Sequence, residues 1–198
     1  REDVEYPVQR PWRADRLEAM AKDLNGARAG AAATVVGDAS DAKTIDALFE
    51  RARSTASTGG LGAPADLVVV NAGRGLSGSI LTSDTAQWED MIRTNLIGAA
   101  RLMRKAAEEL TRLVEAPEGE AGVNGAWLSR PRDIVVIGSS VGRNISPFSS
   151  MYGSTKFGLH SLAEAMRREI GPKGVRVTLV EPAIVESEFQ SVAGYDPT

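Results

Sequence analysis

A tyrosine and a lysine that stand four residues apart, Tyr152 and Lys156, form the clearest chemical signal in the sequence. On a helix this spacing places both side chains on the same face. A lysine ammonium beside a phenol favours the phenolate, so the tyrosine can give and take a proton near neutral pH. Chance also produces such pairs, and this pair therefore needs support from other residues.

A serine stands thirteen residues before the tyrosine. Ser139 closes the apolar run Asp133–Ser139, which has the composition of a β-strand. Ligands of open α/β sheets bind outside the carboxyl ends of the strands, and a hydroxyl there can donate a hydrogen bond to a substrate oxygen. The alternative is a serine that only forms the turn after the strand.

Two asparagines add to this pattern. Asn71 starts an NAG tripeptide at the end of the run Asp66–Ala72, and small residues there would let a cofactor approach the backbone. Asn95 lies inside the helical pattern Thr85–Val114, and asparagine is a poor residue for a helix interior. Each asparagine also has a simpler interpretation. Asn71 would form only the turn after the strand, and Asn95 would lie on an exposed helix face.

Short apolar runs alternate with longer helical patterns along the chain. The four predicted strands are Ala33–Asp38, Asp66–Ala72, Asp133–Ser139 and Val175–Glu181. The predicted helices cover residues 17–24, 45–52, about 85–114 and 151–170. The strands are apolar without strict alternation, as parallel strands buried on both faces are. The pattern predicts a doubly wound α/β fold in a single domain over residues 1–198.

The order of these signals resembles the short-chain dehydrogenase/reductase family: NAG, a helical Asn, Ser, YxxxK, and then a proline after the last strand, Pro182. The resemblance covers about Arg13 to Phe189. It implies a Rossmann-like parallel sheet and the reversible reduction of a carbonyl to an alcohol with NADP or NAD. The residues that it implies for catalysis are Asn95, Ser139, Tyr152 and Lys156.

The resemblance also implies a cofactor site. The run GDASD at 37–41 resembles the family's DxxD, which meets the adenine, and PAIVES at 182–187 resembles PGxVxT, which lines the nicotinamide amide. The residues implied for cofactor binding are Arg13, Asp38, Ala39, Asn71, Ala72, Gly73, Tyr152, Lys156, Pro182, Ala183, Ile184 and Ser187. Lys156 would contact the nicotinamide ribose. The stretch from Tyr152 to Phe189 looks most like the NADP-dependent 3-hydroxy acid and serine dehydrogenase branch.

The choice of cofactor depends on the region after the family's second strand. Members specific for NAD place an acidic residue there, which bonds the ribose 2′-hydroxyl. Residues 8–13 contain no acid, whereas Arg10, Arg13 and Arg16 offer cations suited to a 2′-phosphate. We therefore expect NADP, with NAD as the alternative. Arginines that are merely solvated at a helix start remain the other interpretation.

The family's phosphate-binding loop, TGxxxGxG, does not occur near the start of the sequence. By resemblance, Arg13 begins the helix after the second strand. We therefore expect an incomplete domain that lacks the first strand, the glycine-rich loop, the C-terminal lid and the last strand. This leaves a second interpretation open, in which the chain is a truncated, catalytically inactive remnant that acts as a binding or assembly module.

A competing motif is GxSxG at 138–142, which is the nucleophile elbow of α/β-hydrolases, with Ser140 as nucleophile. Such enzymes need an acid and then a histidine after the serine. The sequence has one histidine, His160, and no Asp or Glu between Ser140 and His160. The hydrolase order therefore fails, and we interpret His160 as a packing or helix-surface residue.

Composition narrows the remaining classes. The sequence has 198 residues and a net charge of −3, so no basic surface indicates nucleic acid or an anionic membrane as a partner. No cysteine is present, which excludes disulfides and thiol catalysis, and a single histidine excludes a multi-histidine metal site. No apolar run approaches the roughly 20 residues that span a membrane, and the first residues do not resemble a signal peptide. We expect a cytoplasmic protein with a small-molecule substrate and no metal. The apolar long helices, paired across subunits in the family, predict a homodimer or homotetramer.

Overall fold

A computed structural model describes residues 14–54, 60–115, 132–185 and 188–194. These residues form two compact units. The first takes the residues up to 38 and residues 47–64, and the second takes residues 39–46 and those from 65 onward. None of the described helices combines the length and the apolar character that crossing a membrane requires.

Helix α1 (Ala14–Ala27) and the C-terminal part of α2 (Ala42–Arg53) belong to the first unit. A side chain of α1 closes the loop that follows: Asn25 Nδ2 donates to the Ala32 carbonyl, and the Ala32 amide donates to Asn25 Oδ1, both at 3.0 Å. Helix α2 begins in the second unit, directly after Asp41. Both helices contain the residues at which the apolar spacing predicted them, 17–24 and 45–52.

The segment 33–38, predicted as a strand, contains no strand in the structure, and that prediction is wrong. An isolated strand is unstable because its amide and carbonyl groups need a neighbouring strand as partner. None of the three strands in the described residues pairs with this segment. The apolar composition of this segment is therefore not sufficient to form a strand.

The second unit contains a parallel sheet of three strands, β1 (Leu67–Val70), β2 (Arg132–Ile137) and β3 (Val175–Val180). They pair in the order β1-β2-β3, and both pairings are parallel. The three strands lie where the sequence predicted them, each one to three residues shorter. The fold is thus α/β with a parallel sheet, as expected.

One face of this sheet carries the core. Its buried residues on the strands are Val68, Val70, Ile134, Val136 and Val175. Helix α4 (Ala99–Glu115) contacts all three strands, and α5 (Ser150–Ile170) contacts β3. On the opposite face of β1, Leu67 and Val69 are 52% and 48% exposed. The described residues therefore bury one face of β1, whereas the sequence pattern predicted burial of both.

The long helix predicted over residues 85–114 is present but is not uniform. It starts with a 3₁₀ turn at 85–87 and continues as α3 (Trp88–Ile92), a π-helical stretch (Arg93–Gly98) and α4, without interruption. Single-turn π-helical stretches inside α-helices often mark functional sites. Asn95 lies within this stretch. A short helix, α6 (Glu188–Ala193), ends the described part of the chain.

Candidate active site

The carboxyl ends of the three parallel strands meet at one edge of the sheet. Asn71 follows β1, Gly138 follows β2 and Glu181 follows β3. The Gly138 amide donates to the Val180 carbonyl at 2.7 Å, and the Ser140 amide donates to the Pro182 carbonyl at 2.9 Å. The segment carrying Ser139 therefore runs beside the segment that starts at Pro182. This is the edge at which open α/β sheets bind ligands.

Tyr152 and Lys156 lie one turn apart in α5, and both are buried, with 7% and 6% of their surfaces exposed. The Lys156 Nζ atom is 5.8 Å from the centroid of the Tyr152 ring. The same Nζ donates to the Ile137 carbonyl at the end of β2, at 3.0 Å. Burial lowers the pKa of Lys156 to about 8. The helix thus holds an ammonium beside a phenol, as the spacing predicted.

Asn95 is 1% exposed, so the interpretation of it as a residue on an exposed helix face is wrong. Its Oδ1 accepts the Arg74 amide at 2.8 Å, and its Nδ2 donates to the Arg74 carbonyl at 2.8 Å. Nδ2 also donates to Thr155 Oγ1 at 3.1 Å. Asn95 therefore ties the loop after β1 to the helix that carries Tyr152 and Lys156.

The NAG tripeptide is exposed and lies close to this network. A Cβ added to Gly73 would lie 3.3 Å from Asn95 Oδ1 and 3.8 Å from Lys156 Nζ. Small residues in Asn71-Ala72-Gly73 therefore leave the backbone open beside the lysine. The structure brings together Gly73, Asn95 and Lys156, which are distant in sequence.

Ser139 is buried in an extended conformation at the end of β2. Its Oγ accepts the Val141 amide at 3.4 Å and so caps the 3₁₀ turn at 140–142. Ser139 therefore does form the turn after the strand. A serine in this place can also contact a substrate at the same edge. The turn packs on α5, where a Cβ at Gly153 would lie 3.7 Å from the Val141 carbonyl oxygen.

The ring of Tyr152 is covered by apolar residues. It packs in a cluster with Leu76 and Met91, and the Phe189 ring of α6 lies 5.7 Å away between centroids. Helix α6 is tied to the loop after β1, because the Ser77 amide donates to the Ala193 carbonyl at 2.8 Å. The Tyr152 ring therefore packs among apolar side chains, with the Lys156 ammonium on the same helix.

The remaining residues of the expected cofactor site are placed differently. Asp38 is in the first unit and Ala39 in the second, where a Cβ at Gly98 would lie 3.1 Å from the Ala39 carbonyl oxygen. Pro182 is half-buried, and Ala183 and Ile184 are exposed. Arg10, Arg13 and Ser187 lie outside the described residues.

Several contacts at this edge had no sequence signal. The Arg74 guanidinium bonds the side chains of Asp90 and Gln87, while its backbone holds Asn95. Thr155 lies within the YGSTK motif, and its hydroxyl donates to the Tyr152 carbonyl at 2.8 Å. The contacts of Arg74 join residues 13 to 21 positions apart and form only in the folded chain, so spacing along the sequence gave no indication of them.

A search with protein-family models matches residues 8–196 to the family described as short chain dehydrogenase. Among curated proteins, the chain is similar to an uncharacterized oxidoreductase of Staphylococcus aureus strain USA300. The two are 27% identical over 161 residues, which are 81% of this chain and 59% of that protein. The chain thus spans about three fifths of the length of the curated relatives it matches.

Solved structures show the same fold. A short-chain dehydrogenase from Sphingobium yanoikuyae in complex with NADPH is 26% identical, with a TM-score of 0.65 over 94% of this chain and 64% of that one. A 3-ketoacyl-(acyl-carrier-protein) reductase from Brucella melitensis complexed with NADH is 22% identical, with a TM-score of 0.70 over 88% and 64% of the two chains.

Proposed function

Because the chain belongs to the short-chain dehydrogenase family, we propose that it catalyses the reversible reduction of a carbonyl to an alcohol with a nicotinamide cofactor. The observation that carries this proposal is the buried pair of Tyr152 and Lys156, with Nζ 5.8 Å from the phenol ring at the ligand-binding edge of the sheet. A phenol held beside an ammonium is a suitable acid and base for this reaction.

The residues at this edge fit such a cofactor. A Cβ at Gly73 would fill the space 3.8 Å from Lys156 Nζ, so glycine keeps that space open for a ligand. The exposed NAG tripeptide and the exposed Ala183 and Ile184, which follow two of the described strands, can approach the cofactor from the ends of these strands. Lys156 would hold the nicotinamide ribose, and Pro182, Ala183, Ile184 and Ser187 would border its amide.

The chemistry divides between the cofactor and three side chains. A bound nicotinamide cofactor supplies the hydride in reduction and accepts it in oxidation. The Tyr152 hydroxyl gives its proton to the carbonyl oxygen in reduction and takes it back in oxidation. Ser139 donates a hydrogen bond to the same oxygen. Lys156 holds a positive charge near the phenol, which stabilises the phenolate left after proton transfer.

Asn95 keeps this arrangement in place. It fixes the loop at Arg74 and the hydroxyl of Thr155, which is next to Lys156 in sequence. Asn95 lies in the π-helical stretch, and such stretches inside α-helices often occur at functional sites. We therefore propose that Asn95 orients Lys156 and the backbone beside the cofactor.

NADP is the expected form of the cofactor. The sequence offers Arg10, Arg13 and Arg16 near the expected adenosine ribose and no acid over residues 8–13. A charge-assisted hydrogen bond contributes roughly 1.5–3 kcal/mol, or about ten- to a hundredfold in affinity. We expect a lower Kd for NADPH than for NADH, and we expect Arg10→Ala or Arg13→Ala to narrow the difference. Equal affinities would contradict the assignment.

The test of the function is turnover with NADPH and a panel of aldehydes, ketones and 3-oxo acids, the last chosen for the likeness to 3-hydroxy acid dehydrogenases. Tyr152→Phe should lower kcat by about 10²–10⁴-fold, because only the hydroxyl carries the proton. The Kd for NADPH should stay within about twofold, since the ring remains. Lys156→Ala should weaken both turnover and cofactor binding.

The matched control is Ser154→Ala, which changes an exposed residue of the same motif whose Oγ bonds only the Ser150 carbonyl, at 2.9 Å. This variant should keep wild-type kcat. Near wild-type turnover of Tyr152→Phe would contradict the mechanism. Failure of the intact protein to bind either cofactor would instead favour the inactive remnant that acts as a binding module.

A further inference from the structure

A buried histidine has no part in the chemistry described above. His160 is the one histidine in the sequence and lies in α5, one turn beyond Lys156. Only 9% of its surface is exposed. A buried imidazole needs partners for both ring nitrogens, because an unsatisfied polar group in the interior is costly.

Both nitrogens have a partner. The Ser139 amide donates to Nε2 of His160 at 3.2 Å. On the other side of the ring, Nδ1 lies 3.3 Å from Glu181 Oε1. Glu181 is itself held by Arg143, whose Nε donates to both carboxylate oxygens at 2.5 and 2.6 Å. A continuous chain of polar contacts thus runs from Arg143 to the backbone of Ser139.

These contacts define the protonation state of the ring. A backbone amide can only donate, so Nε2 accepts and carries no proton, and the neutral imidazole has its proton on Nδ1. Nδ1 lies 3.3 Å from Glu181 Oε1, so the proton is on the nitrogen that faces the carboxylate. Burial lowers the pKa of His160, the charges of Arg143 and Lys156 lower it further, and the charge of Glu181 opposes them. The neutral form is therefore the form present at pH 7.

The shape of the loop fits the same ring. A Cβ at Gly138 would lie 2.3 Å from His160 Nε2, and a Cβ at Gly142 would lie 2.3 Å from Cε1. Real Cβ atoms do not approach other atoms so closely. The imidazole therefore occupies the space that the two glycines leave at either end of the Ser139 loop, and it fixes this loop by contact as well as by hydrogen bonding.

We propose that His160 is a positioning residue for Ser139: it receives the Ser139 amide, fills the space between Gly138 and Gly142, and joins the loop through Glu181 to the segment that begins at Pro182. This inference rests on the proposed role of Ser139 toward the substrate. The link matters because Ser139 and Pro182 would contact different parts of the reacting complex. One buried ring thereby sets the position of the substrate-binding hydroxyl relative to the nicotinamide.

The first test needs no substrate. His160 is the single histidine in the 198 residues. In protein labelled with ¹⁵N-histidine, the imidazole signals that disappear in His160→Gln belong to it. Long-range ¹H–¹⁵N spectra should show Nε2 as the unprotonated nitrogen at pH 7, and titration should give a pKa below the ordinary 6.5. Glu181→Gln should lower that pKa further. A proton on Nε2, or a pKa above 6.5, would contradict the proposal.

The second test measures kcat with NADPH and the carbonyl compound that the panel shows to react fastest. His160→Leu removes the acceptor and should lower kcat by up to about a hundredfold, since small misplacements of reacting groups have effects of that size. His160→Gln keeps an oxygen near the position of Nε2 and should restore much of the loss. The control Ser161→Ala, at an exposed neighbour on α5, should not change kcat.

A double variant separates positioning from a merely structural role. If His160 acts through Ser139, then the kcat of Ser139→Ala combined with His160→Leu should be no lower than that of Ser139→Ala alone. If the loss of kcat in the double variant equals the product of the two single losses, the proposal is contradicted. If Tyr152→Phe keeps wild-type turnover, the proposed function fails. If Tyr152→Phe is inactive while His160→Leu is not, only the positioning role fails.

Discussion

At the scale of single residues, Asn95 satisfies groups that would otherwise be buried without partners. Asn95→Ala leaves the amide and the carbonyl of Arg74 unpaired, and each such group costs about 1–3 kcal/mol. We expect a loss of roughly 2–4 kcal/mol in the free energy of unfolding, measured by urea titration. The exposed neighbour Arg93→Ala should lose less than about 0.5 kcal/mol. Equal effects of the two substitutions would show that the asparagine bonds contribute little.

Lys156 combines a functional need with a cost in stability. Its ammonium is buried, and burial lowers its pKa from 10.5 to about 8. Between those values the unfolded chain binds a proton that the folded chain has lost, so stability rises with pH in that window. The loss of stability that comes from burying the Lys156 charge is therefore complete below pH 8 and disappears above pH 10.5.

Replacing this lysine by a neutral side chain of similar length should remove the cost. We expect Lys156→Met to raise the free energy of unfolding by roughly 1–3 kcal/mol at pH 7, after the lost bond to the Ile137 carbonyl is subtracted. The gain in the free energy of unfolding should shrink by more than half at pH 10, because the lysine of the folded wild-type protein is then mostly neutral. Urea titrations at the two pH values measure this. A gain that does not depend on pH would contradict the lowered pKa.

At the scale of elements, the π-helical stretch depends on close packing at its last residue. A Cβ at Gly98 would lie 2.9 Å from Ser40 Cα and 3.1 Å from the Ala39 carbonyl oxygen, both backbone atoms. Gly98→Ala should therefore lower the free energy of unfolding by about 1–3 kcal/mol, although alanine favours helix. Gly153→Ala in α5 meets its nearest atom at an ordinary 3.7 Å and should gain up to about 1 kcal/mol. Thermal unfolding of both variants tests the opposite signs.

Sequence patterns predicted the elements whose signals are local. Helix α5 and the strands β1, β2 and β3 have continuous apolar patterns of their own, and all four lie where expected. The segment 33–38 has the same composition as a strand but lacks a partner among the described strands. Strand formation depends on residues elsewhere in the chain, which a local pattern does not report.

The candidate site divides in the same way. Tyr152 and Lys156 were predictable because a helix converts a spacing of four into proximity. The contact of Asn95 with Arg74 joins residues 21 positions apart, and the contact of His160 with the Ser139 amide spans the same separation. Neither spacing has a meaning on a single helix or strand. Such contacts follow from the order of strands and helices, which only the folded structure gives.

At the scale of the whole molecule, we expect self-association. The π-helical stretch and α5 expose apolar side chains, with Ile97 and Phe157 at 42% and 40% exposure. Burying them in a two-fold interface is the commonest arrangement of homo-oligomers. Light scattering of the intact protein at micromolar concentration should give a dimer or tetramer. Phe157→Glu should lower that mass, whereas Leu81→Glu on an exposed loop should not. A monomeric wild-type protein would contradict the expectation.

The proposed reaction transfers a hydride from the cofactor while Tyr152 supplies the proton. The most direct measurement is mass spectrometry of the alcohol formed from NADPH carrying deuterium at C4, with each C4 diastereomer tested separately. We expect one deuterium on the carbinol carbon from one diastereomer, and a rate at least about a hundredfold lower for Tyr152→Phe. Product without deuterium from both diastereomers, or equal rates for Tyr152→Phe and the wild-type protein, would contradict it.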